Sequence, residues 1–448
     1  MMRPVYRKAA PSWTPPSPAA PVAAWSPMAG ETAGADADRA FLSVIAVLFS
    51  GLVFFRFALT DPVMNLVLNY SGEGGALVEK IHPCTQAVIL LFLLTLARIR
   101  ITLTASEAGL VKQMGILIGV IFALVAFVQV SGHSIALGYL LETYIGACIY
   151  GFLLLALPND RRRMIGETVL IYIVLCSFLA VFEKATSIRL LPYPYNEISF
   201  RPTALTSHPL AIGLNNAGAT VFILATRWKG WVKTAAILTV VMGTFASGAR
   251  TGMIFTVLSV LAALAITRIP AAGADERLRI RLIAAGSILI GGAILIALAG
   301  AAGFLEPFEG GYIDENAQAR VDVYKVFDWV SWKDILLGAD LIAIKKMVFE
   351  RLNLLIESSI VIFVFQFGLF GALAFGGAIL WTFYRLAAAA DWRALIGAGA
   401  WFATAMSNDT LSGKHAHITM MVVLFLAFRT NVHDHLGQRV RPGWEANR

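Results

Sequence analysis

Long apolar stretches separated by short polar breaks run through almost the whole chain. They fall near 41–59, 83–97, 113–130, 134–157, 165–182, 209–226, 234–247, 251–267, 282–303, 357–384, 394–407 and 415–429. A helix needs roughly 20 apolar residues to cross about 30 Å of hydrocarbon. The pattern therefore predicts an all-α polytopic membrane protein with about twelve transmembrane helices. Several runs are short or hold glycine, so eleven to thirteen is the range. Recurring Gly and Ala suit close helix packing in lipid.

The ends break the pattern. Residues 1–38 open with MMRPVYRK and continue in Pro, Ala and Ser, which predicts an unstructured arm. No basic head leads directly into an apolar run with a small-residue cleavage site. The first run is thus expected to remain as a span. Residues 39–430 form the predicted transmembrane domain and 431–448 a C-terminal tail.

Composition agrees with this reading. Of 448 residues, 58% are hydrophobic and only 14% charged, with a mean hydropathy of +0.72. A water-soluble domain carries about a quarter charged residues. A soluble enzyme, a disordered scaffold and a nucleic-acid-binding domain are excluded on this ground. Cys84, Cys148 and Cys176 lie far apart in or beside apolar runs, so no disulfide framework is expected.

The net charge of +8 becomes a topology signal once its positions are known. With twelve spans and the N-terminus inside, 23 of the 36 basic residues fall in inside loops, including Arg161, Arg162, Arg163 and the 268–281 segment. The positive-inside rule then makes both termini cytoplasmic. The same charges predict contact with anionic lipid.

Two loops on the opposite face are long, 183–208 and 304–357. The second, at about fifty residues, far exceeds an ordinary connection. Its mixture of apolar and charged residues predicts amphipathic helices on the membrane surface, with Trp329 and Trp332 at interface depth.

Three basic residues on that face stand out. Arg201 sits in NEISFRPTALTSHPLAIG, Arg250 in TFASGARTGMIF and Arg320 in ENAQARVDVYKVFDWV. Arg250 lies where two apolar runs meet almost without a loop, and an ionisable group at such depth is a functional candidate by default. Guanidinium groups bind phosphate bidentately. On an outer face a lipid-linked pyrophosphate is the natural anion. Blander roles are an interface arginine for Arg201 and a salt bridge to Asp322 or Asp328 for Arg320. Glu357 opens the following span and is a candidate general base; a helix cap or an arginine partner is the alternative. Glu142 is an acid within the fourth span, without an assigned role. His133, His208, His415 and His417 show no zinc-site spacing. No P-loop, dinucleotide fingerprint or Ser-His-Asp signature is present, so neither metal nor cofactor is expected.

Four segments together resemble the O-antigen ligase and Wzy polysaccharide polymerase superfamily. They are FRPTALTSHPLAIG, ASGARTGMI, ARVDVYKVFDWVSWKDILLGAD and ESSIVIFVFQFGLFGAL, in family order. The resemblance covers roughly 165–385. It implies a GT-C-like fold and a metal-independent, inverting glycosyltransferase working at the periplasmic face of a bacterial inner membrane. Undecaprenyl-pyrophosphate-linked glycans would be donor and acceptor. Arg201, Arg250 and Arg320 would grip phosphate, aided by His208 and Lys325, with Glu357 as base. Glu357 stands where the ligases usually carry histidine, and the loop ends in Gly-Ala-Asp rather than Gly-x-Gly. These departures favour an exopolysaccharide or capsule polymerase over an O-antigen ligase. Chain-length regulators or export proteins are the implied protein partners. A transporter and a structural subunit of an export assembly are the rival classes.

Overall fold

The computed structural model describes residues 29–71, 76–132, 137–193, 200–266, scattered positions between 273 and 300, and 315–429. Contacts divide the chain into two units, 1–41 and 42–448. In the first, the described residues are helical and Arg39 pairs with Asp36 at 3.7 Å. Helix α1 already begins at Ala29 and runs to Ala58, while 1–28 lie outside the described residues, as does the tail 431–448.

The described residues are helical or irregular, with no strand among them. After α1 come α2 (Pro83–Arg98), α3 (Ala105–Val130), α4 (Gly146–Ala156), α5 (Asn159–Thr186), α6 (Pro209–Ile223), α7 (Gly230–Ala246) and α8 (Arg250–Ile266). Then follow α9 (Glu315–Asp322), α10 (Trp332–Leu337), α11 (Leu341–Leu352), α12 (Ser359–Ala390), α13 (Trp392–Ala405) and α14 (His417–Ala427).

Four of the described helices are long and apolar enough to cross a membrane, at 23, 26, 28 and 32 residues: Asp36–Ala58, α3, α5 and α12. Six further apolar helices have only 10–17 residues. At 1.5 Å per residue the longest of these reaches about 25 Å, short of the roughly 30 Å hydrocarbon core. The expectation of about twelve full-length spans is corrected on this point. Apolar composition overcounted because helix caps cut into the runs. The run 209–226, for example, is helical only to Ile223. The run 282–303 lies mostly outside the described residues.

Caps and breaks follow from local chemistry. His208 caps α6, its Nδ1 accepting from Leu210 N at 3.2 Å, and Pro209 occupies the first turn where no N–H is needed. Thr104 and Glu107 form a reciprocal capping box on α3. Glu107 also binds Arg162 at 2.6 Å and Arg429 at 3.3 Å, which gathers basic groups at the end of the bundle where α3 and α5 begin.

Two glycine contacts bring backbones together. A Cβ on Gly252 would lie 2.6 Å from Gly213 Cα, so α6 and α8 cross at a distance only glycine permits. Gly368 has φ +72 and breaks α12; a Cβ there would lie 2.3 Å from Leu336 O. Into that break the segment between α10 and α11 docks, with Ala339 N donating to Phe365 O at 2.7 Å. From Glu315 the long loop carries short helices, α9, a 3-10 turn at Val323–Asp328, α10 and α11, joined by irregular segments. Its α11 buries Leu341, Ile344 and Val348 along one face and exposes Ile342 and Phe349. Trp332 is exposed, and Trp329 lies under Arg351, 4.8 Å from ring centre to guanidinium.

Candidate functional site

The starts of α2, α6, α8, α12 and α14 meet the ends of α1, α5 and α7 at one end of the bundle. The segments singled out in the sequence collect there. Arg201 Nε donates to Ser247 O at 3.2 Å and its Nη2 to Gly248 O at 3.4 Å. Two motifs far apart in sequence are thereby joined. Gly248, at φ +66, makes the turn that ends α7 and starts α8. Arg250 stands two residues further on, its N–H donating to Gly248 O at 3.1 Å and its side chain half-buried.

The loop carrying Arg201 is organised around a buried carboxylate that sequence reading passed over. Glu183 accepts from Leu190 N at 2.7 Å and from Thr203 N and Ala204 N at 2.8 Å each. Ala204 adopts φ +47, a conformation that this double contact supports. Arg189 donates to Arg201 O at 2.8 Å and packs over the Tyr193 and Phe200 rings. The acid at the end of an apolar run was the available signal, but a carboxylate bound to backbone N–H groups is indistinguishable in sequence from a solvated one.

Arg320 faces Glu357, Nε to Oε2 at 3.9 Å. That contact replaces the bland pairing with Asp322 or Asp328. Asp322 is taken by Lys325 at 2.7 Å and by Gln318. Lys325 is thus turned to its own helical neighbour, and no described contact brings it to the cluster. Glu357 is about half exposed. Partial burial and the Asp409 carboxylate push its carboxyl above the ordinary value, while Arg320 and Arg201 pull it down. Burial, then Arg201, His415 and Arg320, hold His208 down at about 4. Near neutrality it is an uncharged imidazole. Arg201 and Arg320 thus act on both Glu357 and His208, and these four residues form one cluster. Two guanidiniums beside a neutral imidazole suit an anion with several phosphoryl oxygens.

Glu142 belongs elsewhere. It lies in a π-helical turn, Leu140–Ile145, fully buried, and accepts from Arg56 Nε at 2.8 Å, Thr85 Oγ1 at 2.7 Å and His82 N at 3.0 Å. His133 lies outside the described residues. Among the described residues no group of three His, Cys, Asp or Glu is arranged to hold a metal ion.

A second segment to which the sequence assigned no role in the site is 406–416, between α13 and α14. Asn408 O accepts from Ser359 Oγ at 3.3 Å and Leu411 N donates to the same hydroxyl at 3.1 Å, which packs the segment beside Glu357. Lys414 donates to Tyr70 O at 2.6 Å; burial and Lys80 lower it to about 8. The polar string SNDTLSGKHAH between two apolar runs was the visible signal.

No protein-family profile matches this chain, and no curated protein and no solved structure matches it.

Proposed function

We propose that this chain is a membrane glycosyltransferase that polymerises undecaprenyl-pyrophosphate-linked repeat units into an exopolysaccharide or capsular chain. The observation that carries the reading is Arg320 facing Glu357 at 3.9 Å while Arg201, tied to the Gly248 turn, bears electrostatically on the same carboxyl and on His208.

In this reading Arg201 and Arg320 bind the diphosphate of the donor. Their charge is worth most when the bond to the anomeric carbon breaks and the diphosphate takes the electron pair. A hydroxyl of a second lipid-linked unit attacks the anomeric carbon from the opposite side, which inverts it. Arg250 lies beside the carbonyl that anchors Arg201 and completes the anion site. Glu357 faces Arg320 and steadies its guanidinium. The basic groups gathered around Glu107 at the other end would face the cytoplasm and its anionic lipids. The reaction would then occur on the periplasmic side of the inner membrane, with chain-length or export proteins as neighbours.

The test is incubation of the purified protein with a lipid-linked repeat unit, with product length as the readout. Long chains from the native protein and single units from R201A and R320A are expected. Native product that stays at one unit refutes the polymerase. Transfer to a lipid A core instead would make it a ligase.

A further inference from the structure

A small polar cavity borders the arginine cluster. It measures about 30 Å³ and is lined by Arg56, Thr60, Asp61, Ser207, Asn215 and His415, among others. A water needs about 10–15 Å³ of such space, so one or two fit. Arg56 is only 2% exposed, and its Nη2 has no hydrogen-bond partner among the described residues; Thr60 Oγ1 is likewise unpartnered. Buried polar groups left open beside a cavity call for ordered water or a polar group of a ligand.

Asp61 and His415 face each other across this cavity, Oδ2 to Nδ1 at 4.0 Å, and each keeps about a fifth of its side chain exposed. The other imidazole nitrogen, Nε2, lies over Gly413, where a Cβ would come within 2.5 Å. His415 is held firmly. Its backbone N–H donates to Thr143 Oγ1 at 3.1 Å, and that hydroxyl donates to Gly413 O at 2.8 Å. Tyr144 OH donates to Leu411 O at 2.6 Å. Thr143 and Tyr144 belong to the π-helical turn, a feature that recurs at functional sites. His417 is committed elsewhere, buried with Nδ1 2.7 Å from Asn215 Oδ1. Ser207 lines the cavity, and its neighbour His208 responds to Arg201, Arg320 and His415 together. Cavity and anion site are therefore adjacent.

We propose that His415 is the general base of the transfer, with Asp61 as the positioning residue that orients its imidazole and stabilises the imidazolium. The assignment rests on the polymerase reading. The acceptor oxygen forms its bond to the anomeric carbon as the carbon–oxygen bond to the diphosphate breaks. The bonding pair leaves with undecaprenyl pyrophosphate, and the hydroxyl proton goes to His415 Nε2, then to cavity water. The charged and titratable groups around the pair are Arg56, Glu142, Lys414, His417 and His208. Burial raises Asp61, and His415, Arg56 and Lys414 oppose that rise.

The experiment is polymer synthesis by the full chain across pH, comparing native protein with H415Q, D61N and E357Q. We expect H415Q to lose about 100-fold or more in kcat, the scale of general base catalysis, with donor KM near native. D61N moves the acid limb of the native profile to lower pH, because the imidazolium loses its counter-charge. In E357Q the limb stays in place and donor KM rises. Unfolding curves for each variant keep a folding defect from passing as a catalytic one. An active native protein with H415Q at native kcat and profile overturns this assignment alone, as does a limb that moves with E357Q rather than D61N. A native protein that makes no polymer overturns the function and the assignment with it.

Discussion

Replacing Glu142 with Gln strands a buried guanidinium. Arg56 and Glu142 expose 3% and 0% of their side chains, and Arg56 Nε reaches Oε1 at 2.8 Å. The same oxygen accepts from Thr85, and Oε2 accepts from His82 N, so both oxygens face donors. Gln turns an NH2 toward one of these donors and removes the counter-charge. Arg56 Nη2 already lacks a hydrogen-bond partner among the described residues, and Glu142 is the carboxylate paired with the guanidinium. Removing one member of a buried pair costs about 3–5 kcal/mol. Stranding the His82 N–H carries its own cost of about 1–3 kcal/mol. The two belong to one network and do not add in full; about 3–5 kcal/mol is the expected loss. Reversible unfolding in detergent micelles measures it. The control is R56M/E142L, which removes both charges and keeps the volume; such replacements are often close to neutral. The reasoning is refuted if E142Q loses less than about 1 kcal/mol, or if the double variant is no more stable than E142Q.

Other outcomes follow from the same geometry. G368A places a methyl against Leu336 O and forces a positive φ on a residue with a Cβ, so the 332–352 segment should undock; protease access to it reports this, and unchanged access refutes it. E183Q replaces an acceptor that serves three backbone N–H groups, and should cost about 1–3 kcal/mol and loosen the Arg201 loop, read by unfolding and by donor KM. His208 sits at about 4 against an ordinary 6.5, so the unfolded chain takes its proton first. As pH falls from 6.5 to about 4, His208 withdraws stability, and H208Q should flatten that part of the unfolding profile. R201A and R320A should each abolish long product while leaving membrane insertion intact, scored by gel mobility of the glycan.

Much of the local character was legible. Hydropathy alone marks an apolar helical chain, and Pro209 after His208 marks a helix start by removing an N–H that would have no partner. Arg201 and Arg320 were legible as candidates because each is a basic residue in a long connection rather than in the basic loops of the opposite face. Span length was not. Whether 209–226 makes eighteen or fifteen helical residues depends on a turn that hydropathy does not register. Lys325 and Glu142 show the same limit from the side of chemistry, since each is explained by a neighbour: Asp322 three residues away, Arg56 eighty-six residues away.

Helical class and the division between apolar body and polar connections come from the sequence by itself, because burial of side chains and pairing of backbone groups are governed by composition and short-range periodicity. Which charges meet was decided only by the tertiary structure. Arg320 meets Glu357, Asp61 meets His415, and Glu183 gathers the loop of Arg201 because helices running in opposite directions return their ends to one level. Electrostatic and hydrogen-bond partners act over a few ångströms in space, and a linear sequence carries no distance between residues hundreds of positions apart.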